Sequence, residues 1–292
     1  MDTSDYTAQD LERITDLVKS KNIVIFTCSY YNSTSDLRLK QCLETLNHAS
    51  YGSNTVATVV VDGSPTEVHE YLKSSSPNTI ICKEKGTFGK GKGGALREAA
   101  FVASTLPGVN DDTWICWQEA EKSDMMRCWQ TEVFDASTKI GNNVDIVCPK
   151  REDGNFKESY PIEQYHSESY GNYYMDAVMK NALNDINKKN SQDAAIHCNS
   201  IDWHFGPFAY RKKIQDLWLQ YKGTSYDAQL IPIVAAARKG IRVESSLEVT
   251  FRLDKKMKEQ EEDNIDFIEK RLHQLNDLDP KIKAFWTEPL YL

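Results

Sequence analysis

Two short segments carry residue types that could bind a phosphorylated ligand. The first, Phe88 to Ala99 (FGKGKGGALREA), places glycines and two lysines at the start of a predicted helix. Glycine lets a ligand approach the backbone closely, and the free N–H groups and dipole of a helix N-terminus favour an anion. The second is Glu119-Ala120-Glu121, where two carboxylates follow an apolar strand. Together they predict a nucleotide and a divalent cation, Mn²⁺ or Mg²⁺, because these hard cations prefer oxygen ligands.

Simpler explanations exist for both segments. Residues 86–92 spell G-x-x-x-x-G-K, as in the phosphate loop of nucleoside triphosphatases, but Gly93 stands where that loop needs a metal-binding serine or threonine. A surface loop punctuated by glycine would also explain the first segment. The end of a strand in contact with water would also explain Glu119 and Glu121.

Alternating apolar strands and helices surround these segments. Strands are predicted at 23–28, 56–61, 79–82, 114–117 and 144–148, and helices at 37–46, 67–74, 95–104 and 125–138. In the second half of the chain, helices are predicted from about 175 to 188, at 226–239 and at 255–275, a loop leading into a helix at 206–221, a strand at 241–251 and an apolar end at 286–292. This order predicts an α/β fold with a mostly parallel central sheet and helices on both of its faces. Ligands of such sheets bind beyond the carboxyl ends of the strands.

The residues that follow the predicted strands therefore form a candidate nucleotide site. Ser29 and Tyr31 follow the first strand, Asp62 follows the second, and Gly91, Lys92 and Gly93 follow the third. The Tyr31 ring could stack on a base, Asp62 could accept a hydrogen bond from a base or ribose, and Lys92 could neutralise a diphosphate. Asp62-Gly63 is also an ordinary turn signal.

The second half of the sequence carries a candidate acceptor region. Residues 150–200 are polar and rich in tyrosine, and we interpret them as an insertion on the substrate side. Asp202-Trp203-His204 combines a carboxylate, an aromatic ring and an imidazole, as sugar pockets often do, although aromatic clusters are more often core. His204 could also complete a metal site. Asp227 precedes an apolar helix, so it either caps that helix or acts as a general base.

Composition and charge narrow the class of protein. The 292 residues include 35 basic and 43 acidic side chains, a net charge of −8, which argues against a broad basic surface for nucleic acid. Seven cysteines without a CxxC pair indicate reduced, buried thiols in an intracellular protein. Neither a secretion signal nor an apolar run of membrane-spanning length is present. We expect a cytoplasmic protein without a transmembrane segment, and a homodimer is compatible with the sequence.

We divide the chain into four parts on these patterns. They are an N-terminal helix at 1–22, a nucleotide-sugar-binding half at 23–150, an acceptor-side half at 151–252 that contains the tyrosine-rich insertion, and a C-terminal helical tail at 253–292.

The order of these features resembles the nucleotide-sugar-dependent glycosyltransferases of the GT-A fold, most closely family 2. The matching segments are IVIFTCSYYNS, VVVDGSP, GKGKGGALREA, WQEAE, GPFAYRKK and SYDAQLIPIVAAARKG, and they span about residues 22–252. One departure is Glu-Ala-Glu where the family usually has Asp-x-Asp. A second is Tyr226, which stands where the family often has a glutamate before the catalytic aspartate.

The resemblance implies a role for each matching residue. Tyr31 and Asp62 would hold the base, and Lys92 would lie near the diphosphate. Glu119 would face the ribose or donor sugar, and Glu121 would bind the metal. In an inverting enzyme, Asp227 would deprotonate the acceptor hydroxyl. His204 is a candidate for a further metal ligand only because of its position in the sequence.

The sequence therefore predicts a glycosyltransferase. It would move a hexose from a UDP- or GDP-sugar to a hydroxyl acceptor, either a small molecule or a glycan, with the help of a divalent metal. One alternative is a catalytically silent GT-A domain that binds a nucleotide or a partner. A sugar-1-phosphate nucleotidyltransferase is a second alternative, but that class needs a glycine-rich loop with arginine after the first strand, where this chain has Cys28-Ser29-Tyr30-Tyr31-Asn32.

Overall fold

The computed structural model describes residues 7–134, 144–189, 200–245 and 247–287. The described residues form two compact units. Unit one takes them from Met1–Glu132 and Pro207–Ala228, and unit two takes them from Val133–Gly206 and Gln229–Leu292. This grouping differs from the four predicted parts. The N-terminal helix and a segment from the predicted acceptor-side half belong with the nucleotide-binding strands.

The secondary structure alternates through unit one and becomes mainly helical in unit two. The strands are β1 (Ile23–Ser29), β2 (Ala57–Asp62), β3 (Ile80–Lys83), β4 (Trp114–Trp117), β5 (Ile146–Val147), β6 (Lys150–Arg151), β7 (Phe208–Arg211), β8 (Val243–Glu244) and β9 (Glu248–Val249). The α-helices are α1 (Ala8–Lys21), α2 (Leu37–Leu46), α3 (Thr66–Ser75), α4 (Gly91–Ser104), α5 (Ser123–Cys128), α6 (Asp153–Ser159), α7 (Ile162–Lys189), α8 (Asp216–Gln220), α9 (Asp227–Arg238), α10 (Lys255–Glu261) and α11 (Ile265–Thr287). A π-helical turn, Trp129–Val133, follows α5, and a 3₁₀ turn, Lys212–Ile214, precedes α8.

Unit one is built on a sheet with the strand order β3-β2-β1-β4-β7. The first four strands are parallel, and β7 is antiparallel to β4. Every residue of β2 and β4 is buried, as expected for apolar strands that are covered on both faces. The predicted α/β fold with a mostly parallel sheet is confirmed.

The parallel register aligns the strand ends at one edge of the sheet. Ser29 at the end of β1 lies opposite Asp62 at the end of β2, and Asp62 lies opposite Lys83 at the end of β3. The residues that follow these strands therefore share one edge, as the sequence predicted.

The starts of α1 and α4 can be compared with the sequence patterns that predicted these helices. The Thr7 hydroxyl accepts a hydrogen bond from the Asp10 amide, the Asp10 carboxylate accepts one from the Thr7 amide, and this capping box starts α1. Ile14 and Val18 of α1 are buried, as their helical spacing predicted. The helix α4 begins at Gly91, four residues before its predicted start, and most of it is buried.

In unit two, β5 pairs with β8 and β6 pairs with β9, both in parallel. The tyrosine-rich stretch is helical, since α7 begins at Ile162 and not near Met175 as predicted. The Tyr174 hydroxyl donates a hydrogen bond to the Asp279 carboxylate at 2.9 Å, which links α7 to α11. The predicted tail helix is present as the two helices α10 and α11.

Three further predictions differ from the structure or reach beyond it. Phe208–Arg211 forms a strand where we predicted a loop leading into a helix. The strand predicted at 241–251 is two short strands, β8 and β9. Parts of the helix predicted at 125–138 and of the apolar end predicted at 286–292 lie outside the described residues.

The described residues also bear on the predictions about cysteines and membrane spans. Six cysteines of the described part (Cys28, Cys42, Cys82, Cys116, Cys128 and Cys148) are free thiols, while Cys198 lies outside it. No helix among the described residues has the length and apolar character needed to cross a bilayer.

Substitution of Leu39 by alanine tests the core below the aligned strand ends. Leu39 has no exposed surface and packs in a cluster with Val60 and Leu72. We expect Leu39→Ala to lower the free energy of unfolding by about 2–5 kcal/mol in urea titrations. The matched variant Leu272→Ala, at a leucine that is 56% exposed, should change it by less than about 0.5 kcal/mol. Equal losses in the two variants would contradict this assignment of the core.

Candidate functional site

Asp62 is the centre of a hydrogen-bond network at the edge of the sheet. Its Oδ1 accepts hydrogen bonds from the Ser29 hydroxyl at 2.8 Å and the Ser64 hydroxyl at 2.6 Å, and its Oδ2 lies 2.9 Å from His69 Nδ1. The Asp62 side chain has no exposed surface. Asp62 and Ser29 are therefore together, as predicted, but in this conformation the carboxylate is closed to a ligand. A direct contact between Asp62 and a base stays a prediction that requires the network to open.

The Tyr31 ring lies in the core, which corrects the prediction that it is free to stack on a base. Tyr31 is 2% exposed and packs with Leu39 and Cys42. Burial raises the pKa of its hydroxyl well above the ordinary value. The neighbouring Tyr30 is 65% exposed and is the aromatic side chain available to a ligand at the end of β1.

Lys92, Glu119 and Lys122 form a charged cluster beside the end of β4. The Lys92 ammonium lies 2.7 Å from Glu119 Oε1, and the Lys122 ammonium lies 3.0 Å from Glu119 Oε2. Burial alone would raise the pKa of Glu119, but the two lysines hold it well below its usual range. Burial alone would lower the pKa of Lys92, but Glu119 raises it above its usual value. Glu119 and Lys92 therefore stay charged near neutral pH, and two ammonium groups face one carboxylate in this cluster.

Glu121 differs from Glu119 in its surroundings. Burial raises the pKa of Glu121, and the negative charge of Glu119 raises it further. Among the described residues no cation lies within ion-pair distance of its carboxylate. A carboxylate in this setting is stabilised when a cation binds to it.

The glycines of the predicted phosphate loop have a packing role. The backbone of Gly223 and Thr224 crosses the first turn of α4, and the Gly93 amide donates a hydrogen bond to the Thr224 carbonyl at 3.2 Å. A Cβ on Gly91 would lie 2.5 Å from the Thr224 carbonyl oxygen, and a Cβ on Gly93 would overlap the Gly223 carbonyl. Gly91 also has a φ of 71°, in the left-handed region. Nucleotide contacts by Gly91 and Gly93 stay a prediction.

Two buried charged residues of α4 hold the surrounding loops. The Arg97 guanidinium, in a residue only 2% exposed, donates hydrogen bonds to the Phe88 carbonyl at 2.9 and 3.1 Å and to the Gly223 carbonyl at 2.7 Å. The Glu98 carboxylate accepts hydrogen bonds from the amides of Lys85 and Gly86 at 2.8 and 3.1 Å. The helix α4 therefore fixes the segment before it and the segment that crosses it.

Asp227 holds the crossing segment from the other side. Its Oδ2 accepts a hydrogen bond from the Tyr221 hydroxyl at 2.7 Å, and its Oδ1 accepts from the Ser225 amide at 3.1 Å and hydroxyl at 2.6 Å. Asp227 is 1% exposed. These donors precede α9, which begins at Asp227, so the predicted role as a helix cap stays a prediction. A role as general base stays a prediction, and it requires the carboxylate to become accessible.

The predicted acceptor residues lie in unit two around a buried arginine. The Arg151 guanidinium donates to both carboxylate oxygens of Asp202, each at 2.7 Å, and to Glu168 at 2.8 Å. Asn172 donates to Asp202 at 2.8 Å. The Asp202 side chain is 9% exposed and that of Arg151 is 1% exposed. In this conformation Asp202 satisfies a buried cation, and its contact with an acceptor stays a prediction.

Trp203 and His204 are enclosed in the same unit. The Trp203 indole donates a hydrogen bond to Asp176 at 2.8 Å, and the residue is 2% exposed. The His204 ring packs against Gly171 of α7 so closely that a Cβ on Gly171 would overlap it. Burial lowers the pKa of His204 below its usual value. A neutral imidazole could ligate a metal, and this role of His204 stays a prediction.

The described parts of the chain hold no group of three or more histidine, cysteine, aspartate or glutamate side chains that could bind a metal ion. A divalent cation at Glu121 would therefore need oxygens from its ligand, and the phosphates of a nucleotide provide them. Glu121 fits such a shared site, because the positive charges of Arg38 and Lys92 offset only part of the cost of burying its carboxylate.

Sequence reasoning missed two residues that shape the site. Tyr30 and Tyr31 are chemically alike, and only the direction in which the chain leaves β1 decides which ring is exposed. Lys122, by contrast, stands beside the two glutamates in the sequence, which indicates a counter-ion or a phosphate contact, and the structure shows it as a counter-ion of Glu119. Arg97 was read as an ordinary helix residue, and its position on an otherwise apolar helix face, ALREAAFVA, was the available signal.

The fold of this chain matches that of a solved glycosyltransferase. The structure of glucosyl-3-phosphoglycerate synthase from Mycobacterium tuberculosis aligns over 98% of this chain and 87% of that chain, with a TM-score of 0.53 and 11% sequence identity. A second structure of that enzyme, with Mn²⁺, UDP-glucose and phosphoglyceric acid, aligns over 93% and 84%, with a TM-score of 0.49 and 12% identity. No protein-family model and no curated protein sequence matches the chain. At this identity the likeness establishes a shared GT-A-like α/β fold.

Replacement of Arg97 tests the link between α4 and the crossing segment. We expect Arg97→Lys to lower the free energy of unfolding by about 1–3 kcal/mol, because one ammonium cannot replace the donors to Phe88 and Gly223. Limited proteolysis should then cleave faster near residues 221–225. The control Arg252→Lys removes an exposed hydrogen bond to the Asn155 side chain and should change stability by less than about 0.5 kcal/mol. Unchanged stability and cleavage in Arg97→Lys would contradict the link.

The ion pair between Asp202 and Arg151 predicts how the stability of unit two changes as the pH falls. Burial alone would raise the pKa of Asp202, but Arg151 lowers it below 3.8, so the unfolded chain binds the proton more readily than the folded one. The stabilisation is present above pH 3.8 and is lost as the pH falls through the folded pKa. We expect Asp202→Asn to lower the free energy of unfolding by about 3–5 kcal/mol at pH 7 and to flatten this acid dependence.

The measurement is urea unfolding between pH 2 and pH 7, with Asp266→Asn at an exposed position of α11 as the control. That variant should keep both the neutral stability and the acid dependence of the original chain. An Asp202→Asn protein as stable as the control would show that Arg151 does not depend on this carboxylate.

Proposed function

We propose that this chain is a glycosyltransferase that moves a hexose from a UDP- or GDP-sugar to a hydroxyl acceptor, assisted by Mn²⁺ or Mg²⁺. The observation that carries the proposal is the cluster of Lys92, Glu119 and Lys122 with Glu121, beside the carboxyl end of a parallel strand. Ligands of open α/β sheets bind at this edge. The shared fold with glucosyl-3-phosphoglycerate synthase supports the same class of reaction.

The cluster suits the departure of a nucleoside diphosphate. When the bond from the sugar to the diphosphate breaks, negative charge develops on the leaving oxygen, and positive groups that are already in place stabilise it. The Lys92 ammonium can supply one such charge while Glu119 fixes its position. A divalent cation held by Glu121 and the diphosphate would supply Lewis-acid stabilisation of the same leaving group.

The acceptor hydroxyl must lose its proton during the transfer. Asp227 is the predicted base, and its carboxylate lies behind Tyr221 and Ser225 in the present conformation. Movement of the segment 221–225 would expose the carboxylate. The acceptor that carries this hydroxyl is a small molecule or a glycan.

A catalytically silent GT-A domain is the second candidate, and one observation favours it. The carboxylates of Asp62 and Asp227, which would contact base and acceptor, are both satisfied within the protein. Such a domain would bind a nucleotide or a partner without turnover. Hydrolysis or transfer of a donor sugar separates the two candidates. A cytoplasmic location and a homodimer stay predictions of the sequence.

Thermal unfolding with nucleotides tests the donor site. We expect UDP or GDP with Mn²⁺ to raise the melting temperature, because a ligand that binds only the native state stabilises it. The variant Lys92→Met should lose most of this shift, since it removes the charge that meets the diphosphate. The control Lys90→Met removes an exposed lysine two residues away and should keep it. A chain that responds to no nucleoside diphosphate would refute the proposal.

Binding of Mn²⁺ tests the role of Glu121. We expect titrations followed by electron paramagnetic resonance to show weak binding of Mn²⁺ alone and at least about tenfold tighter binding with a nucleoside diphosphate, because the protein offers too few ligands by itself. Glu121→Gln should abolish the tighter binding and the metal-dependent turnover. Asp124→Asn, three residues away, should retain both. Unchanged Mn²⁺ binding by the Glu121→Gln variant would show that other residues hold the metal.

A further inference from the structure

Three residues that follow neighbouring strands meet at the edge of the sheet in unit one. Tyr30 follows β1, Gly63 follows β2, and Glu84 follows β3. The Gly63 amide donates to the Ser29 carbonyl and the Glu84 amide donates to the Asp62 carbonyl, both at 2.9 Å. These bonds extend the sheet by one residue, so the three positions are held by the backbone of the sheet.

Gly63 forms the floor between the two side chains. A Cβ built on Gly63 would lie 2.5 Å from Glu84 Oε2 and 3.5 Å from Tyr30 Cδ2. The missing side chain thus lets the Glu84 carboxylate lie against the Gly63 backbone, with the Tyr30 ring next to the same glycine. The Tyr30 ring is 65% exposed and can accept a flat ligand on its face.

The Glu84 carboxylate is available to a ligand. Among the described residues it accepts no hydrogen bond and forms no ion pair. The adjacent Lys83 directs its ammonium to the Ser64 carbonyl. Partial burial raises the pKa of Glu84, and the charges of Glu98 and Asp62 add to this effect. A hydrogen-bond donor that binds here would stabilise the charged carboxylate and offset the cost of its partial burial.

We propose that Tyr30 and Glu84 bind the base of the donor and that Glu84 selects guanine, so that the donor is a GDP-sugar. This inference rests on the proposed function and narrows it. Guanine presents two neighbouring donors, N1–H and the exocyclic N2–H₂, and a carboxylate accepts both at once. Uracil presents one donor, N3–H, between two carbonyl oxygens that repel the second carboxylate oxygen. Adenine and cytosine place a ring acceptor beside their amino group.

Asp62 cannot make the same selection in this conformation. Its two oxygens already accept from Ser29 and Ser64 and contact His69, and the side chain has no exposed surface. Of these two carboxylates, Glu84 is the one that accepts no hydrogen bond and forms no ion pair among the described residues. Asp62 supports the selection indirectly, because its backbone carbonyl holds the Glu84 amide.

Calorimetric titration of the full chain with GDP and with UDP, each with Mn²⁺, tests the inference. We expect GDP to bind roughly 10- to 100-fold more tightly than UDP, the discrimination that one bidentate contact to a base provides. Glu84→Gln keeps the shape and replaces one acceptor by a donor, which suits uracil. We therefore expect it to weaken GDP at least tenfold and to strengthen UDP. Melting temperatures confirm that the variant is folded.

Two further variants separate the contributions. Gly63→Ala displaces the Glu84 carboxylate without changing charge, and it should reduce the preference for GDP. Tyr30→Ala should weaken GDP and UDP by similar factors, because stacking tolerates either base. Glu67→Gln removes an exposed carboxylate on α3 and should leave both affinities unchanged.

Each outcome decides between the inference and the function on which it rests. Binding of UDP as tight as that of GDP, or an unchanged ratio in Glu84→Gln, overturns the selection by Glu84 and leaves the donor site intact. Binding of neither nucleotide overturns the proposed function and this inference together.

Discussion

The site in unit one depends on a close approach of two backbones at the start of α4. Gly223 and Thr224 cross the first turn of that helix where a Cβ on Gly91 or Gly93 would collide with them. The crossing brings the segment that carries Asp227 to the helix that carries Lys92, and Arg97 secures it through carbonyls on both sides. Glycine is required here because two segments of the backbone pass so closely that no side chain fits between them. The glycines that suggested phosphate binding in the sequence therefore allow the two segments of the site to pack together.

Buried polar groups and exposed ones have different roles in this protein. Asp62, Asp202 and Asp227 are three carboxylates for which the sequence predicted a ligand contact or a catalytic role, and each is enclosed and satisfied by protein donors. Burying a charge without such partners would be strongly unfavourable, so the partners must accompany these residues. The groups left for a ligand are Tyr30, which is next to this framework, and Glu121 of the predicted metal motif. A motif can thus mark the framework of a site when the chemistry belongs to the residues beside it.

Much of the fold could be predicted because buried parallel strands are short apolar runs bounded by turn signals. β1 and β4 lie within one residue of their predicted bounds. β7 could not be predicted, since its four residues lie beside a glycine and a proline and pair with β4, which is far away in the sequence. The positions of Glu119 and Glu121 at a strand end were predictable, but their opposite surroundings were not. Those surroundings depend on where Lys92 and Lys122 reach, and residue types alone do not specify this.

Glu119 also has a consequence for turnover. Its carboxylate holds the ammonium groups of Lys92 and Lys122 when no phosphate is present. An arriving diphosphate would therefore compete with an internal anion for groups that are already ordered, so little side-chain rearrangement accompanies its entry. After the proposed transfer, Glu119 would still be in place to bind both lysines again as the product departs. In enzymes whose rate is limited by product release, such an internal competitor shortens the lifetime of the product complex.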